Sequence, residues 1–291
     1  MSLFQTVRDS RLLRRQALQD IITGHIGLLF PAAILVFIAS AVAFPRAFTA
    51  LDPLIADPLQ SLQPPNATHW FGTDQLGRDV FARVIYGARY SVLIGLGVVG
   101  ISSIIGSTLG LVSGLWRGIV DEIISRFLDI ISAFPSLLLA LALIAFIGPG
   151  TTNLICALGI ASIPRYARVI RTQLRLVVRS GYVEQAVTFG ISPLTLLWRH
   201  VLPHALTQLP VLATTGLGTA LIAASGMSFI GMGPRPPIPE WGAMLADGHN
   251  YLRIAWWASV WPGVFITLTV VAINALARRW QAVFEGRGNS R

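Results

Sequence analysis

Few residues of this chain have the types and spacing that catalysis or metal binding requires. His200 and His204 are four residues apart, a spacing that places two imidazoles on one face of a helix as a metal pair would need. Pro203 lies between them and no third ligand is near, so we interpret the pair as polar residues at an interface and predict no metal site. No Ser/His/Asp arrangement or pair of acid and base carboxylates emerges, so we predict no catalytic residue and no enzyme activity in this chain.

Binding of nucleotide phosphates by a P-loop is also excluded. All 22 basic residues are arginines, and a P-loop needs a lysine after its glycines. If ATP and its magnesium ion drive this protein, they must bind to a partner subunit, and we expect no cofactor in the chain itself. The net charge of +9 is not arranged as a basic stripe interleaved with aromatic residues, so no nucleic-acid partner is predicted.

The composition indicates an all-α protein that crosses a lipid membrane several times. Hydrophobic residues make up 54% of the chain, charged residues only 12%, and the mean hydropathy is +0.66. Soluble domains have about 25% charged residues. The single cysteine, Cys156, lies in an apolar run, and we interpret it as a small buried hydrophobic residue.

The first part of the chain divides into three segments. Residues 1–25 are polar and rich in arginine, and they predict an amphipathic segment on the membrane surface; a signal peptide is the weaker alternative. Residues 26–44 form an apolar run that would extend about 28 Å as a helix, enough to cross a bilayer. Residues 45–90 are polar and rich in proline, and we assign them to an outer loop.

Five further membrane helices are predicted, in a core that we assign to residues 91–277. Their predicted ranges are 90–116, 130–147, 152–170, 207–225 and 254–277, with an amphipathic connector at 117–129. Arg165 and Arg168 lie inside the fourth helix and are predicted to reach the inner headgroups. Trp256, Trp257 and Trp261 predict an interfacial belt, and Arg278 and Arg279 are predicted to end the last helix before a tail at 278–291.

Residues 180–204 lie between two apolar runs yet have the pattern of two short helices joined by a tight turn. Residues 182–189 can form about two helical turns, and Gly190 follows where a helix ends in a left-handed residue. Ser192 and Pro193 are typical of an N-cap and a first helical residue. Such a short helix is not stable alone, so we expect it to dock, with another protein as its partner.

Within this segment, Glu184-Gln185-Ala186, Gly190, and His200 with Leu202-Pro203 resemble the EAA loop of bacterial ABC importer permeases. The stretch HVLPHAL is similar to the peptide and nickel branch of that group. The resemblance implies a cytoplasmic coupling helix that fits a groove on an ATPase subunit. Gln185 replaces the usual alanine, which an exposed helical position tolerates. A plain amphipathic connector is the alternative interpretation.

A second resemblance lies in the outer loop, where HWFGTDQLGRD and IYGARYSVL are similar to the outer signature of the same permeases. Its candidate residues are Gly72, Thr73, Asp74, Gly77, Arg78 and Asp79. We expect Arg78 to form ion pairs with Asp74 and Asp79. Two interpretations stay open: a self-stabilising loop that positions the next helix, or a surface that contacts a binding protein.

A third resemblance is carried by GMSFIGMGPRPPIPEWGAML, residues 226–245. Its candidate residues are Ser228, Phe229, Gly231, Gly233, Glu240, Trp241 and Gly242. The glycines and prolines predict that this segment forms no regular helix. A re-entrant gate and a packed outer cap are both compatible with the pattern.

The charge distribution predicts the orientation in the membrane. Of the 22 arginines, 16 lie on the two ends and the two connectors assigned to the inside. The positive-inside rule then places both termini and residues 180–204 in the cytoplasm of a bacterium, with the chain in the inner membrane.

Together the three resemblances imply the second permease subunit of a dipeptide or oligopeptide ABC importer, with six membrane helices in the type I importer fold. The expected partners are a homologous permease in a heterodimer, two ATPase subunits, an extracytoplasmic substrate-binding protein and the lipid membrane. Nickel, glutathione or another small solute is an alternative substrate. A secondary transporter is a weaker alternative, because the predicted spans contain no Asp or Glu that would carry ions or protons apart from Asp129 at an edge.

Overall fold

The structure, a computed structural model, describes residues 29–116 and 118–284. This part of the chain is built from helices and contains no β-strand. The helices are α1 Leu29–Ala43, α2 Val80–Leu115, α3 Ile119–Ser132, α4 Ser136–Ile147, α5 Thr151–Val178, α6 Gly181–Thr188, α7 Pro193–Leu196, α8 Leu202–Ala205, α9 Leu209–Phe229, α10 Trp241–His249 and α11 Trp257–Phe284. The predicted amphipathic segment 1–25, the start of the first span and residues 285–291 lie outside the described residues.

Helix α2 begins at Val80, ten residues before the predicted start, so the prediction that the loop continues to residue 90 is wrong. Asp79 is the N-cap: its Oδ1 accepts a hydrogen bond from the backbone N–H of Ala82 at 2.6 Å. The first turns of α2 carry Arg83, which is buried in the protein rather than exposed to lipid. When the first turns of a helix carry polar residues that protein covers, hydropathy alone predicts a helix start that is too late.

The predicted third span, residues 130–147, is not one straight helix. Helices α3 and α4 meet at an angle of 85°. The break lies at Ala133-Phe134-Pro135, and Pro135 is the N-cap of α4. Proline restricts the residue before it to extended backbone and cannot donate to a helix, which accounts for the break.

The six-span count remains a prediction. Three helical stretches have the length and hydropathy to cross a membrane, namely Val80–Leu115, Pro193–Phe229 and Trp257–Gln281; the bent pair α3 and α4 is a fourth candidate, and α1 is shorter. Helix α5 is long enough, at 28 residues, but its second half carries Arg165, Arg168, Arg171 and Arg175. These arginines lower its hydropathy.

The last two long helices extend beyond their predicted ends. Helix α9 continues to Phe229 instead of ending at Ser225. Helix α11 continues past Arg278 and Arg279, so the prediction that these arginines end it is wrong, because arginine is a good helix former. Trp257 is buried in the protein, and the ring of Trp261 stacks on Phe71 at 3.9 Å. Of the three tryptophans predicted to form an interfacial belt, Trp257 and Trp261 therefore pack against protein, and Trp256 is exposed.

The central packing is between α2 and α5, which lie against each other over most of their length, while α4 and α9 cover the same core. Small residues on α2 allow this close approach. At Gly106, a Cβ would lie 2.6 Å from the Cβ of Tyr166 and 2.9 Å from the carbonyl oxygen of Ile163. Helices in membranes gain their association energy from such close backbone packing.

Replacing Gly106 by alanine is therefore expected to separate α2 from α5 and to cost about 1–3 kcal/mol of stability. The thermal midpoint of the purified protein in detergent, followed by tryptophan fluorescence, should fall by several degrees.

Gly100→Ala is the matched control, because a Cβ at Gly100 meets nothing within 4 Å. This change should leave the midpoint unchanged or raise it slightly, since alanine favours helix. Equal midpoints for the two variants would contradict the packing account.

Candidate functional site

The segment 180–204 forms the predicted helix, turn and second helix. Helix α6 ends in a Schellman turn, in which the N–H of Gly190 donates to Val187 O and the N–H of Ile191 donates to Ala186 O. Gly190 has a φ of 77°, in the left-handed region. Ser192 caps α7 and Pro193 is its first residue, as predicted.

One face of α6 is fixed inside the protein. Val183 and Ala186 are buried and pack in a small cluster with Leu174, Val201 and Ala205. Ala186 therefore contacts this chain itself and is not available to a second protein. The cluster joins α6 to the inner end of α5 and to the helices that lead into α9.

The other face of the segment is exposed and apolar. Val187 is 57% exposed, Phe189 84%, Leu194 67% and Trp198 63%. Exposed hydrophobic residues this close together mark an interaction surface. Glu184 and Gln185 are also exposed.

His200, Leu202 and Pro203 lie where the second helix changes register. Residues Leu197–Val201 form a π-turn, in which the N–H of Leu202 donates to Leu197 O. Pro203 has no N–H to continue the α-helical ladder, which explains a local change of register. His204 Nδ1 is 2.8 Å from His200 O, a backbone contact, so the two imidazoles do not form a pair. Within the described residues, no group of three metal-ligating side chains occurs.

Asp74 and Arg78 of the outer signature form an ion-pair cluster with Arg83 and Asp247, in which Asp247 is half-buried and the other three are buried. Arg78 Nε lies 2.7 Å from Asp74 Oδ2, and Arg83 Nε lies 3.4 Å from the same oxygen. Arg78 Nη2 lies 3.9 Å from Asp247 Oδ2. The cluster joins the outer loop to α2 and α10.

The predicted ion pair of Arg78 with Asp79 is wrong. Asp79 Oδ2 instead lies 2.8 Å from His69 Nδ1, while its other oxygen caps α2. His69 Nε2 lies 2.7 Å from Gln60 Oε1. One carboxylate oxygen of Asp79 is bound to the first turn of α2 as its N-cap. The other oxygen contacts His69 and not Arg78.

The remaining signature residues shape the backbone of the same loop. Gly72 and Gly77 have φ values of 72° and 73°. Thr73 is fully buried, and its carbonyl oxygen accepts a hydrogen bond from Trp257 Nε1 at 3.0 Å. Because Thr73, Asp74, Arg78 and Asp79 are all buried, the structure favours the interpretation that this loop positions α2.

The third segment is centred on two buried residues, Glu240 and Trp241. Glu240 is 1% exposed and accepts hydrogen bonds from the N–H groups of Gly242 at 2.9 Å and Ala243 at 2.8 Å. Trp241 Nε1 donates to Val84 O on α2 at 2.9 Å. The expectation that residues 226–245 contain no regular helix is therefore wrong at both ends, because Ser228 and Phe229 belong to α9 and Glu240 caps α10.

Between these helices the chain turns at Gly231, which has a φ of 84°. Gly233 and Gly242 allow the turn and α10 to pack on the end of α9: a Cβ at Gly242 would lie 2.6 Å from Ser225 Cα. Arg83 Nη1 lies 3.3 Å from Pro53 O and 3.5 Å from Pro237 O, which ties this segment to the outer loop. The described contacts are those of a packed cap on α2, α9 and α11.

Sequence patterns missed several of these functional contacts. His69, Arg83 and Asp247 had no predicted role, although His69 is the first residue of the recognised HWFGTDQLGRD stretch. Burial raises the pKa of the Asp247 carboxyl, and the facing guanidinium groups of Arg83 and Arg78 oppose that rise. Burial also raises the pKa of Glu240 against the effect of its backbone donors.

Comparison with known proteins gives the family. Residues 106–288 match the family described as "Binding-protein-dependent transport system inner membrane component". The chain belongs to this family. It is a permease subunit of an ABC importer, a transport subunit and not an enzyme, and it is a multi-pass membrane protein.

Curated relatives and solved structures agree with this assignment. The probable D,D-dipeptide transport system permease protein DdpC of Escherichia coli strain K12 is 43% identical over 84% of this chain and 82% of its own length. The dipeptide permease DppC of Alkalihalophilus pseudofirmus is 36% identical over 90% and 86%. The glutathione permease GsiD of Pectobacterium atrosepticum is 40% identical over 73% and 70%.

Two solved transporters share the fold. The inward-facing MetNI methionine ABC transporter matches with a TM-score of 0.56 at 21% identity, covering 69% of this chain and 96% of its own. An amino acid ABC transporter matches with a TM-score of 0.57 at 17% identity, covering 71% and 94%. The fold class predicted for this permease, that of type I importers, is confirmed.

The outer ion-pair cluster is expected to be essential for stability. Asp74→Asn removes the charge that two buried arginines face, and breaking a buried ion pair costs about 3–5 kcal/mol. The thermal midpoint should fall by several degrees more than in Asp52→Asn, since Asp52 is exposed and only caps a local turn. Equal effects of the two changes would show that the cluster is dispensable.

The raised pKa of Glu240 predicts a pH dependence. Between the unfolded value near 4.5 and the higher folded value, the folded state holds a proton that the unfolded chain has released. Stability should therefore fall as the pH rises through this window, and Glu240→Gln should flatten the dependence of the thermal midpoint on pH. Glu122→Gln, at an exposed ion pair, should keep the wild-type slope; a Glu240→Gln slope equal to it would refute the prediction.

Proposed function

We propose that this permease imports dipeptides and short oligopeptides and that residues 180–204 dock on a separate ATPase subunit. The observation that carries the second part is the two-sided segment: one face is anchored by Val183 and Ala186, and the opposite face exposes Phe189, Leu194 and Trp198. A segment that is rigid on one side and exposes apolar groups on the other suits a permanent docking partner.

The partners follow from the same chemistry. The chain has no lysine for a P-loop, so ATP and magnesium bind to two ATPase subunits. A homologous permease completes the translocation pathway as a heterodimer, and an extracytoplasmic binding protein delivers the substrate. In this arrangement both termini and residues 180–204 are cytoplasmic, as the excess of arginine on those segments supports.

The substrate proposal rests on the relatives. Those with 36% and 43% identity carry dipeptide and D,D-dipeptide transport in their names. Glutathione is the second candidate, because the relatives named for glutathione transport have 40–42% identity. All three are short peptides with a free carboxylate.

Movement of the ATPase subunits reaches the membrane helices through short, packed connections. Only Arg179 and Ser180 separate α5 from α6, and Leu174 of α5 packs with Val183 and Val201. A displacement of α6 therefore also displaces α5. The helical stretch Pro193–Phe229 transmits the same displacement to α9. These two helices carry the movement that alternates access between the two sides of the membrane.

The test replaces the turn residue while leaving the fold intact. Gly190→Val forces a β-branched residue into a φ of 77° and should displace the exposed face. The complete complex in proteoliposomes should then lose most of its ATP-driven uptake of radiolabelled dialanine, although the permease inserts normally.

Gly100→Val is the control, because Gly100 lies on α2 outside residues 180–204, a Cβ there meets nothing within 4 Å and its φ is not positive. This variant should transport at close to the wild-type rate. If Gly190→Val transported dialanine and hydrolysed ATP like wild type, the docking assignment would be refuted.

A further inference from the structure

A cavity of about 290 Å³ lies between α2, α4, α5 and α9, apart from the outer cluster and the docking segment. Most of its wall is apolar, and hydroxyl groups interrupt the apolar surface. The polar lining residues are Ser102, Ser136, Ser162, Arg165, Tyr166 and Thr219. Arg165 is the charged residue among those that line it.

Arg165 differs from the arginines that follow it on α5. Arg168 pairs with Asp129 at 2.9 Å, and Arg171 and Arg175 both bind Asp121. Among the described residues, no carboxylate lies within ion-pair distance of Arg165. The guanidinium of α5 that lines the cavity is thus the one for which the described part of the chain supplies no counter-charge.

The depth of Arg165 in the membrane indicates that its charge needs an anionic partner. Helix α5 starts after the Gly148-Pro149-Gly150 turn, which we assign to the outer side of the membrane. Arg165 is exposed and lies about 21 Å along the helix axis from Thr151. This distance is within the roughly 30 Å of a bilayer core. Charged residues at such depth face protein or a water-filled path and are paired, so an anion from outside the chain is the expected partner.

The hydroxyl groups of the cavity add acceptors. Ser102 and Ser162 donate to carbonyl oxygens of their own helices at 2.8 Å, and Thr219 does so at 3.1 Å. Each oxygen keeps lone pairs that can accept an N–H. A ligand with a carboxylate at one end and N–H groups at the other complements this wall.

We propose that the cavity is a binding site within the membrane for a short peptide, with Arg165 binding the terminal carboxylate. The proposal rests on the proposed function, since it assigns the substrate class a position inside the permease. The volume is at the lower end of ligand pockets, about 300–1,000 Å³, and accommodates one or two small residues. A lipid phosphate is the other source of an anion at this depth, and the experiment distinguishes it.

Equilibrium binding to the assembled complex in nanodiscs, without binding protein or ATP, tests the site directly. The probes are radiolabelled dialanine and its C-terminal amide, and the variants are Arg165→Gln and Arg168→Gln. The wild type should bind dialanine at least about tenfold more tightly than the amide, as a charge-assisted hydrogen bond implies. Arg165→Gln should abolish this preference, and Arg168→Gln should keep it.

The proposal is overturned if wild type shows no preference for the carboxylate form or if Arg165→Gln retains it. Native mass spectrometry of the same samples gives the second arm. Loss of a bound phospholipid from Arg165→Gln, with dialanine binding unchanged, would assign Arg165 to a lipid phosphate and refute the peptide site. Failure of the proposed function would appear separately, as a wild-type complex without an ATPase subunit or without dialanine uptake when binding protein and ATP are supplied.

Discussion

The close packing of α2 on α5 is the constraint on which the rest of the structure depends. Because small residues such as Gly106 and Gly110 face backbone atoms of α5, the two helices hold a fixed relative position over most of their length. Helix α5 in turn carries Arg165 at the cavity, the arginines that bind α3, and the connection to α6. The outer end of α2 carries Arg83, which reaches the outer loop and the segment before α10. One helix pair therefore links the ion-pair cluster around Asp74 to the segment 180–204.

Ion pairs add a second level of organisation around this pair. Asp121 on α3 binds Arg171 and Arg175 and accepts a hydrogen bond from Ser113 on α2. Asp129 binds Arg168. These contacts hold the amphipathic helix α3 against the C-terminal halves of α2 and α5, while the break at Pro135 lets α4 leave α3 at an angle of 85°. Of the four arginines that lower the hydropathy of α5, Arg168, Arg171 and Arg175 also fix the neighbouring helix α3.

Local patterns in the sequence predict the local features of this permease well. Gly190, Ser192 and Pro193 have strong intrinsic preferences, so the turn between α6 and α7 follows from residue type alone. The resemblance of 180–204 and of the outer loop to ABC importer permeases predicted the family that the comparisons confirm.

The features that sequence patterns missed depend on contacts between distant residues. Arg78 reaches Asp247 across more than 160 residues, and Asp79 takes His69 because its other oxygen caps α2. The early start of α2 has a similar origin, since hydropathy assumes lipid or water around a helix where protein covers Arg83. Helix α11 continues beyond Arg279 for a different reason, because arginine favours helix even where it is exposed. That Arg165 has no carboxylate partner among the described residues becomes visible only when the partners of the other arginines on α5 are known.

The central claim is that the exposed face of residues 180–204 touches the ATPase subunit, and photo-crosslinking measures that contact directly. A photoreactive amino acid at Phe189, which is 84% exposed, and one at Ile104 on α2, which is 70% exposed, give matched positions in the assembled complex. Irradiation should join position 189 to the ATPase subunit and position 104 to no ATPase subunit. A complex that hydrolyses ATP in response to its binding protein yet yields no ATPase adduct from position 189 would contradict the account.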